Sequence, residues 1–334
     1  METITLQHGN GGSLTGKLIR NLFHRYFDNC YLAEAHDAAR LPSIKGRLAF
    51  TTDSYVINPL FFPGGDIGKL AICGTVNDLA MSGARPLYIS CGFIIEAGFP
   101  LEQLEKIVKS MAMTARDADV VIVTGDTKVV EQGAADKLFI NTAGIGEIPD
   151  GVNICGNRAC AGDVVIVSGT LGDHGMAIMV ERQQLQLESE LRSDCAALNG
   201  LVREMLAVCG QIRVLRDPTR GGAATALNEI AVQSQVGIEL FEEDLPVKAE
   251  VRGMCEILGL DPLYLANEGK LLAVVPESSA EAVLTVMKAN PYGMDAAIIG
   301  RVVDGHRGKL FMRTAIGGRR VIDMMVGDPL PRIC

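Results

Sequence analysis

The sequence predicts two domains of mixed α/β or α+β type. A chain of 334 residues fits about two domains at ~150 residues each. Strand-like and helix-like patterns alternate through both halves, which favours packed layers of helix and sheet in each. The polar stretch 148–163 separates the two series and is the candidate linker. We therefore expect domains at 1–152 and 153–322, followed by a mobile tail at 323–334.

The first half is predicted to contain three strands and one amphipathic helix. In chain order these are strand 47–57, helix 101–115, strand 120–123 and strand 137–148. The strands are short runs of apolar, often branched residues bounded by polar or glycine-containing turns. The helix follows from apolar residues three and four positions apart, which fall on one helix face.

The second half repeats the alternation. In chain order we expect strand 161–169, helices near 195–209 and 222–234, strand 270–275, helix 279–289 and strand 296–303. Glycine-rich turns stand beside acidic residues in both halves, which is typical of backbone loops close to a ligand.

Composition excludes several function classes. The net charge is −9 with no basic block, which argues against nucleic acid or an anionic membrane as partner. No signal-peptide pattern opens the chain, and no apolar run approaches the ~20 residues of a membrane span. The nine cysteines are scattered without a C-x-x-C pair, so zinc and dithiol redox sites are weakly supported. These features favour a cytoplasmic protein.

The glycine-rich segment "HGNGGSLTGKL" nearly matches a P-loop. Gly11, Gly16 and Lys17 fit the spacing, but Leu18 stands where a magnesium-binding hydroxyl belongs. The preceding segment is also a poor strand. We therefore expect a glycine-rich segment that closes on phosphates without P-loop geometry, or else a flexible N-terminal loop.

Four aspartates stand in glycine- or threonine-rich settings. Asp53 is expected just past a strand, Asp78 in a helix that stops near Pro86, Asp126 at the end of a buried strand and Asp217 before a helix. Carboxylates at such positions are typical of Mg²⁺-nucleotide sites. For any single aspartate a helix cap or turn role is the alternative.

Three other residues are ambiguous from the sequence. Lys128 could meet a phosphate or substrate oxygen, and Glu268, in a turn before a strand, could act as a base. Each could equally be an exposed charge. His174 adjoins Asp173, but neighbours in sequence need not face each other, and we expect a loop histidine rather than a catalytic dyad.

The motifs taken together resemble one known family. "TTDSYV", "PGGDIGKLAICGTVNDLAMSGARP", "VTGDTKVV", "GTLGDHG", "RDPTRGG", "NEGKL" and the terminal "PRIC" are similar to the HypE family of hydrogenase maturation proteins, within the aminoimidazole ribonucleotide synthetase and selenophosphate synthetase superfamily. The resemblance runs essentially end to end. It implies an N-terminal domain that forms a β-barrel at a homodimer interface, a C-terminal α/β domain and an extended C-terminal tail.

The resemblance also implies a reaction. Cys334 would carry a carbamoyl group that the chain dehydrates to a thiocyanate with ATP and Mg²⁺, which supplies the cyano ligand of [NiFe] hydrogenase iron. Lys128 would contact the activated oxygen, and Glu268 would take a proton. Asp53, Asp78, Asp126 and Asp217 would hold the metal. Nucleotide contacts would come from Gly11, Gly12, Lys17, Asp53, Asn77, Asp78, Asp126, Thr127, Asp217, Thr219, Arg220 and Gly221.

The implied partners are a carbamoyltransferase, HypF, and a HypC–HypD scaffold complex. Pro329 and Pro331 bias the tail to an extended form that could travel between a partner and the chain's own cleft. Selenophosphate synthetase is the nearest alternative, but it carries its reactive residue in the N-terminal glycine segment, whereas the first cysteine here is Cys30. A non-catalytic nucleotide-binding scaffold and a thiol redox protein are the alternatives from other classes.

Overall fold

The structure is a computed structural model that describes residues 2–183, 190–325, 327 and 332–334. Pro329 and Pro331, on which the expected extended tail rests, lie outside the described residues. No helix in the described part of the chain is long and apolar enough to cross a membrane.

In its described residues, the N-terminal half forms a four-stranded sheet, a sheet of two short strands and five α-helices. Its strands are β1 (Arg47–Tyr55), β2 (Phe61–Phe62), β3 (Gly65–Asp66), β4 (Arg85–Glu96), β5 (Val121–Val130) and β6 (Leu138–Ile148). Its helices are α1 (Ser13–Leu18), α2 (His24–Phe27), α3 (Cys30–Ala33), α4 (Ile67–Met81) and α5 (Leu101–Asp117). A π-helical turn, Ile19–Phe23, joins α1 to α2.

The main sheet of this half has the strand order β1-β6-β4-β5. β4 and β5 run parallel, and the other two pairs are antiparallel. One face packs on α4 and α5, while the other face exposes Leu48, Phe50 and Ile94. The described strands form an open sheet rather than a closed barrel.

Helix α4 is buried on nearly all sides because it lies between this sheet and the second half of the chain. Thirteen of its fifteen residues are buried. The side chain of Asp66 caps its start by accepting from the backbone N–H groups of Gly68 and Lys69. Gly74 is needed where the helix meets β1, since a Cβ there would lie 2.2 Å from the Tyr55 hydroxyl. This close packing brings Asp78 of α4 beside Asp53 of β1.

The C-terminal half is a second, larger sheet with helices on both faces. Its strands are β7 (Asp163–Val167), β8 (Val214–Arg216), β9 (Gly237–Phe241), β10 (Leu272–Pro276), β11 (Ala297–Val303), β12 (Lys309–Arg313) and β13 (Arg319–Ile322). Its helices are α6 (Asp173–Gln183), α7 (Asn199–Val208), α8 (Gly222–Ser234), α9 (Ala249–Leu258) and α10 (Glu277–Ala289). The strand order is β13-β12-β9-β11-β7-β10-β8. Helix α8 packs in the core on one face, and α7 with α10 packs on the other.

Three expectations about local structure need correction. Asp53 lies inside β1 rather than past its end, and β5 continues through Asp126 to Val130 rather than closing at residue 123. His174 lies in helix α6 and is fully buried, rather than in a loop. The apolar residues after it, "MAIMV", are a helical pattern that the loop interpretation overlooked.

Candidate active site

Three of the four predicted aspartates converge between the two halves of the chain. Asp53 comes from β1, Asp78 from α4 and Asp217 from the turn before α8. Burial and the neighbouring Asp78 carboxylate raise the pKa of Asp53 to about 6. Burial and the same neighbour raise the pKa of Asp217 to about 7. Close carboxylates disfavour one another's ionisation, so this cluster is set up to share protons or to receive a cation.

Hydroxyl groups of β1 orient two of these carboxylates. The Thr51 hydroxyl donates to Asp78 Oδ2 at 2.7 Å, and the Tyr55 hydroxyl lies 3.4 Å from Asp53 Oδ2. Thr51 and Tyr55 alternate with Asp53 along the strand, so all three side chains point to one face of the sheet. Neither residue was a predicted site residue, and the period-2 pattern around Asp53 is the signal that could have found them.

Glu268 joins the cluster from the bend before β10. Its side chain is 3 % exposed, and its Oε1 atom is buried with no hydrogen-bond partner among the described residues. Burial, together with Asp217 and Asp194, raises its pKa well above the ordinary value. A carboxyl group whose pKa is raised is a stronger base when ionised. Glu268 is therefore suited to proton transfer, and the alternative of an exposed charge is wrong.

Close packing of two loops holds Glu268 in place. The Glu268 backbone N–H donates to Asp194 Oδ1 at 3.0 Å, and Lys270 pairs with the other Asp194 oxygen at 3.4 Å. A Cβ at Gly269 would lie 1.8 Å from the Asp194 carbonyl oxygen. Only glycine allows this approach.

A cavity of about 290 Å³ opens beside the carboxylates. Asp78, Asp217, Thr219 and Arg220 are among the residues that line it. Gly221 supplies the left-handed turn, at φ 78°, that leads from these residues into α8. The cavity therefore combines acidic oxygens with a cation and a hydroxyl group, which suits a metal–phosphate ligand.

The carboxylates of this cluster could hold Mg²⁺ only if phosphate or water oxygens completed its coordination. Within the described ranges no three His, Cys, Asp or Glu side chains are close enough to hold a metal ion by themselves. Mg²⁺ is usually bound by one or two carboxylates plus phosphate oxygens and water. A cation bound beside Asp53 and Asp78 would offset the repulsion that the Asp78 carboxylate exerts on Asp53.

Asn77, predicted to contact the nucleotide, lies where α4 meets the C-terminal half. Its Nδ2 donates to the carbonyls of Ala196 and Glu268, and its Oδ1 accepts from the Leu198 backbone N–H. The side chain is 2 % exposed. These contacts join α4 to the C-terminal half, and Asn77 is not among the residues that line the cavity; its role in nucleotide binding stays a prediction.

Asp126 is not part of the cluster within one chain. Asp126 lies opposite Gly92 on β4, and Gly92 lies opposite Asn141 on β6. Asn141 in turn pairs with Ser54, not with Asp53. Paired residues share a face and successive residues alternate, so Asp126 points to the face opposite Asp53. Three strand spacings of ~4.8 Å also separate their strands by about 14 Å.

Lys128 accompanies Asp126 on the open face of the sheet. The two side chains form an ion pair at 2.8 Å, and the hydrogen bond from Lys128 lowers the pKa of Asp126. Both side chains are about two-thirds exposed. Together with Thr127 and Gly11 they line a second cavity of about 200 Å³, whose floor includes Phe23 and other apolar residues.

As predicted, the glycine-rich segment lacks P-loop geometry. A 3₁₀ turn, Leu6–His8, precedes it instead of a strand, and Gly12 lies at the start of the six-residue helix α1. Lys17 is exposed at the end of that helix. Its side chain does not line either of the two cavities described above.

The chain terminus is docked against the same region. The Val56 backbone N–H, three residues beyond Asp53, donates to a terminal carboxylate oxygen of Cys334 at 3.1 Å. Ile333 is 3 % exposed and belongs to a core cluster built by residues of both halves, while Cys334 is half-buried. The last three residues are thus held beside β1.

Comparison with known proteins identifies the family. The AIR synthase related protein family matches with its N-terminal domain at residues 35–148 and its C-terminal domain at residues 161–313. The carbamoyl dehydratase HypE of Rhizobium leguminosarum bv. viciae is 53% identical over 332 residues, covering 99% of this chain and 95% of that protein. The chain belongs to the HypE family. The family resemblance expected from the motifs is therefore confirmed.

Solved HypE structures share the whole fold. A crystal structure of the hydrogenase maturation protein HypE in complex with ATP is 52% identical, with a TM-score of 0.96, and covers 99% of this chain and 100% of that one. A crystal structure of a HypE–HypF complex is 52% identical, with a TM-score of 0.82, covering 92% of this chain and 99% of that one. The selenophosphate synthetase alternative is not favoured by these matches.

Proposed function

We propose that this HypE-family chain dehydrates a carbamoyl group on its own Cys334 to a thiocyanate, with ATP, and so provides the cyano ligand for [NiFe] hydrogenase iron. The observation that carries the proposal is the docked terminus. Cys334 ends the chain beside β1, whose Asp53 belongs to the acidic cluster that contains Glu268. Substrate group, acidic site and candidate base are thus brought to one region of one chain.

The chemistry requires loss of the amide oxygen and of both N–H protons. ATP with Mg²⁺, when bound, supplies the phosphoryl group that turns this poor leaving oxygen into phosphate. The oxygen leaves with that phosphate, the nitrogen gives up two protons, and S–C≡N remains. Glu268 is placed to accept a proton, because its raised pKa makes its ionised form a stronger base.

Asp53, Asp78 and Asp217 would hold Mg²⁺ against the phosphates. They are mutually repelling carboxylates, and a divalent cation with phosphate oxygens would complete the coordination. Thr219 and Arg220 line the same cavity and would contact the nucleotide, while Gly221 makes the turn beside them. Metal so held would neutralise the phosphate charge during transfer.

Intact-mass analysis tests the reaction directly. The protein would first be loaded by a carbamoyltransferase supplied with its carbamoyl donor and co-reactants, then freed of small molecules and incubated with or without ATP. We expect Cys334 to gain the mass of one carbamoyl group on loading and to lose the mass of one water only when ATP is then added. A carbamoylated protein whose mass ATP leaves unchanged would refute the proposed activity.

We further propose a homodimer through the N-terminal domain, 1–152, with 153–322 as the second domain. The open sheet face supports it, because Phe50 and Leu48 are 70% and 61% exposed there. Two such faces packed together could make the barrel that a single chain lacks. In that arrangement Asp126 and Lys128 would reach a nucleotide site only at the interface between two copies.

A mixing experiment tests the shared site. Variants Asp78→Asn and Lys128→Ala should each be inactive alone. If Lys128 acts across the interface, mixed dimers should recover part of the activity, because one intact site can form from the two copies. If dimers that contain one copy of each variant recovered no activity, Lys128 would not act in the site of the partner copy.

The proposed partners follow from what the resemblance to the HypE family implies. A solved complex unites a relative with HypF, and we propose HypF as the carbamoyl donor for Cys334 and a HypC–HypD complex as the acceptor of the cyano group. We also propose a cytoplasmic location. Co-purification with each partner, with Cys334→Ala as control, tests whether the terminal thiol is needed for binding or only for transfer.

A further inference from the structure

The last three residues are held by groups from both halves of the chain. The Asn58 backbone N–H donates to the Arg332 carbonyl at 3.4 Å, and the Val56 N–H donates to a terminal carboxylate oxygen of Cys334 at 3.1 Å. The tail therefore runs antiparallel to the segment that follows β1. Arg332 has a left-handed backbone, at φ 57°, so these residues are not a regular strand. The carbonyl between the two, that of Ile333, bonds a side chain of the C-terminal half.

His174 bonds that remaining carbonyl. Its Nε2 lies 2.8 Å from the Ile333 oxygen and its Nδ1 lies 2.7 Å from the Ser193 hydroxyl. A carbonyl only accepts, so Nε2 carries the hydrogen. Burial lowers the pKa of His174, and the neutral ring then accepts from Ser193 at Nδ1. The ring is fully buried and packs edge-on against Phe62.

The imidazole is thus fixed with one donor aimed at the tail. Ser193 is itself held, because its backbone N–H donates to the Pro63 carbonyl at 2.8 Å. If the tail leaves, the buried Nε2–H of His174 loses the partner it has in this arrangement. An unpaired buried donor is unfavourable, so the histidine favours the docked tail.

Arg332 sets the register of the tail. Its guanidinium pairs with Asp136 at 2.6 Å and donates through Nε to the Val56 carbonyl at 2.9 Å. Arg182 of α6 donates to the Arg332 carbonyl and to the Asn58 carbonyl. A planar guanidinium can make such divergent bonds at once. A one-residue slip of the tail would break the three contacts that involve Arg332.

We propose that Asp136, His174 and Arg182, with the main chain of Val56 and Asn58, form a tail seat that recognises Arg-Ile-Cys and positions Cys334 for dehydration. These are positioning residues, since none is placed at the reacting carbon. The seat deepens the proposed function and rests on it for its catalytic meaning. It also means that a partner can load Cys334 only after the tail leaves the seat.

Protection of the Cys334 thiol measures docking without any catalysis. The alkylation rate of Cys334 in the unloaded protein would be followed by peptide mass spectrometry, with exposed Cys30, Cys155 and Cys160 as internal references. Variants Asp136→Ala and His174→Leu should raise the relative rate at Cys334 about tenfold, the effect of losing a hydrogen bond to a charged or buried group. Hydrogen exchange at the Val56 and Asn58 amides should accelerate in parallel.

Two matched variants control for general damage. His174→Gln keeps an N–H donor near the Nε2 position and should restore protection. Glu131→Ala removes an exposed acid from the same loop as Asp136 and should change nothing. Circular dichroism and thermal melting would verify that each variant is folded. Asp136 is partly exposed, so its variant stays informative if His174→Leu fails to fold.

Dehydration of preloaded protein then tests positioning. Single-turnover dehydration should slow about tenfold in Asp136→Ala and His174→Leu, while loading by the transferase should be unchanged or faster. Unchanged alkylation and exchange in both variants would overturn the seat. Lost protection with normal dehydration would overturn its positioning role. If the wild type does not dehydrate at all, the proposed function fails, yet the alkylation result still decides the seat.

Discussion

Replacing Asp217 with Asn should stabilise the protein at alkaline pH while abolishing ATP-dependent turnover. Asp217 repels Asp78 and Asp53, and its folded pKa is about 7 rather than 3.8. Because the folded pKa is raised, the native state binds an extra proton between these values. The free energy of unfolding therefore falls as the pH rises from about 4 to about 7, and then levels off.

The size of the effect follows from that pKa. A rise of about 3 in pKa corresponds to about 4 kcal/mol at ~1.36 kcal/mol each. Asp217 is partly exposed and shares its repulsion with two neighbours, so we take half of this, about 2 kcal/mol. For a unit of ~150–250 residues, this raises Tm by about 4–8 °C. The gain should be near zero at pH 4 and full at pH 8.

Thermal denaturation of the nucleotide-free protein at pH 4.5 and pH 8 measures this difference. Asp150→Asn, an exposed acid outside the cluster, is the control and should shift Tm at neither pH. Adding Mg²⁺ and ATP should stabilise the wild type more than Asp217→Asn, because a ligand that binds the native state raises its stability. A Tm difference that does not change with pH, or a variant less stable at pH 8, would refute the reasoning.

Four further outcomes are expected. Glu268→Gln should accept the carbamoyl group but not dehydrate it, since an amide cannot take the proton; intact mass distinguishes the two steps, and normal cyano formation would remove Glu268 from the mechanism. A short tag after Cys334 should block dehydration but not ATP binding, because peptide bonds would replace the terminal carboxylate in the seat; normal cyano transfer from the tagged chain would show that the chain end is not read. Lys17→Ala should weaken ATP binding modestly, as measured by calorimetry, whereas Asp78→Asn should remove Mg²⁺-dependent turnover. If Lys17→Ala reduced binding and turnover as much as Asp78→Asn, the phosphate site would lie at Lys17. Phe50→Glu should give a monomer by light scattering, because a charge would be buried between two sheet faces; an unchanged dimer would place the interface elsewhere.

Much of the fold could be predicted from local patterns. Helix 222–234 and the strands near 137–148 and 296–303 match the observed elements within a residue or two. Glu268 was correctly placed in a turn before a strand. Such features depend on periodicity and on turn residues close in sequence.

What could not be predicted depends on register and on distant partners. Asp53 and Asp126 looked equivalent beside threonine and glycine, yet they occupy opposite faces of one sheet. A shift of one residue reverses the face of a strand side chain, and the sequence does not state the register. The role of His174 likewise depends on its contact with Ile333, which is 159 residues away in the sequence.

The amide of Asn77 has a consequence for domain exchange between relatives. It bonds the backbone at Ala196, Leu198 and Glu268, and the next residue in α4 is Asp78. The joint between the domains and the acidic site are therefore one structural unit. A chimera cut in the stretch between β6 and β7 would combine an α4 from one parent with 194–198 and 268 loops from the other. Such chimeras should fold as two good domains yet misplace the Asp78 carboxylate, unless the graft carries all three segments together.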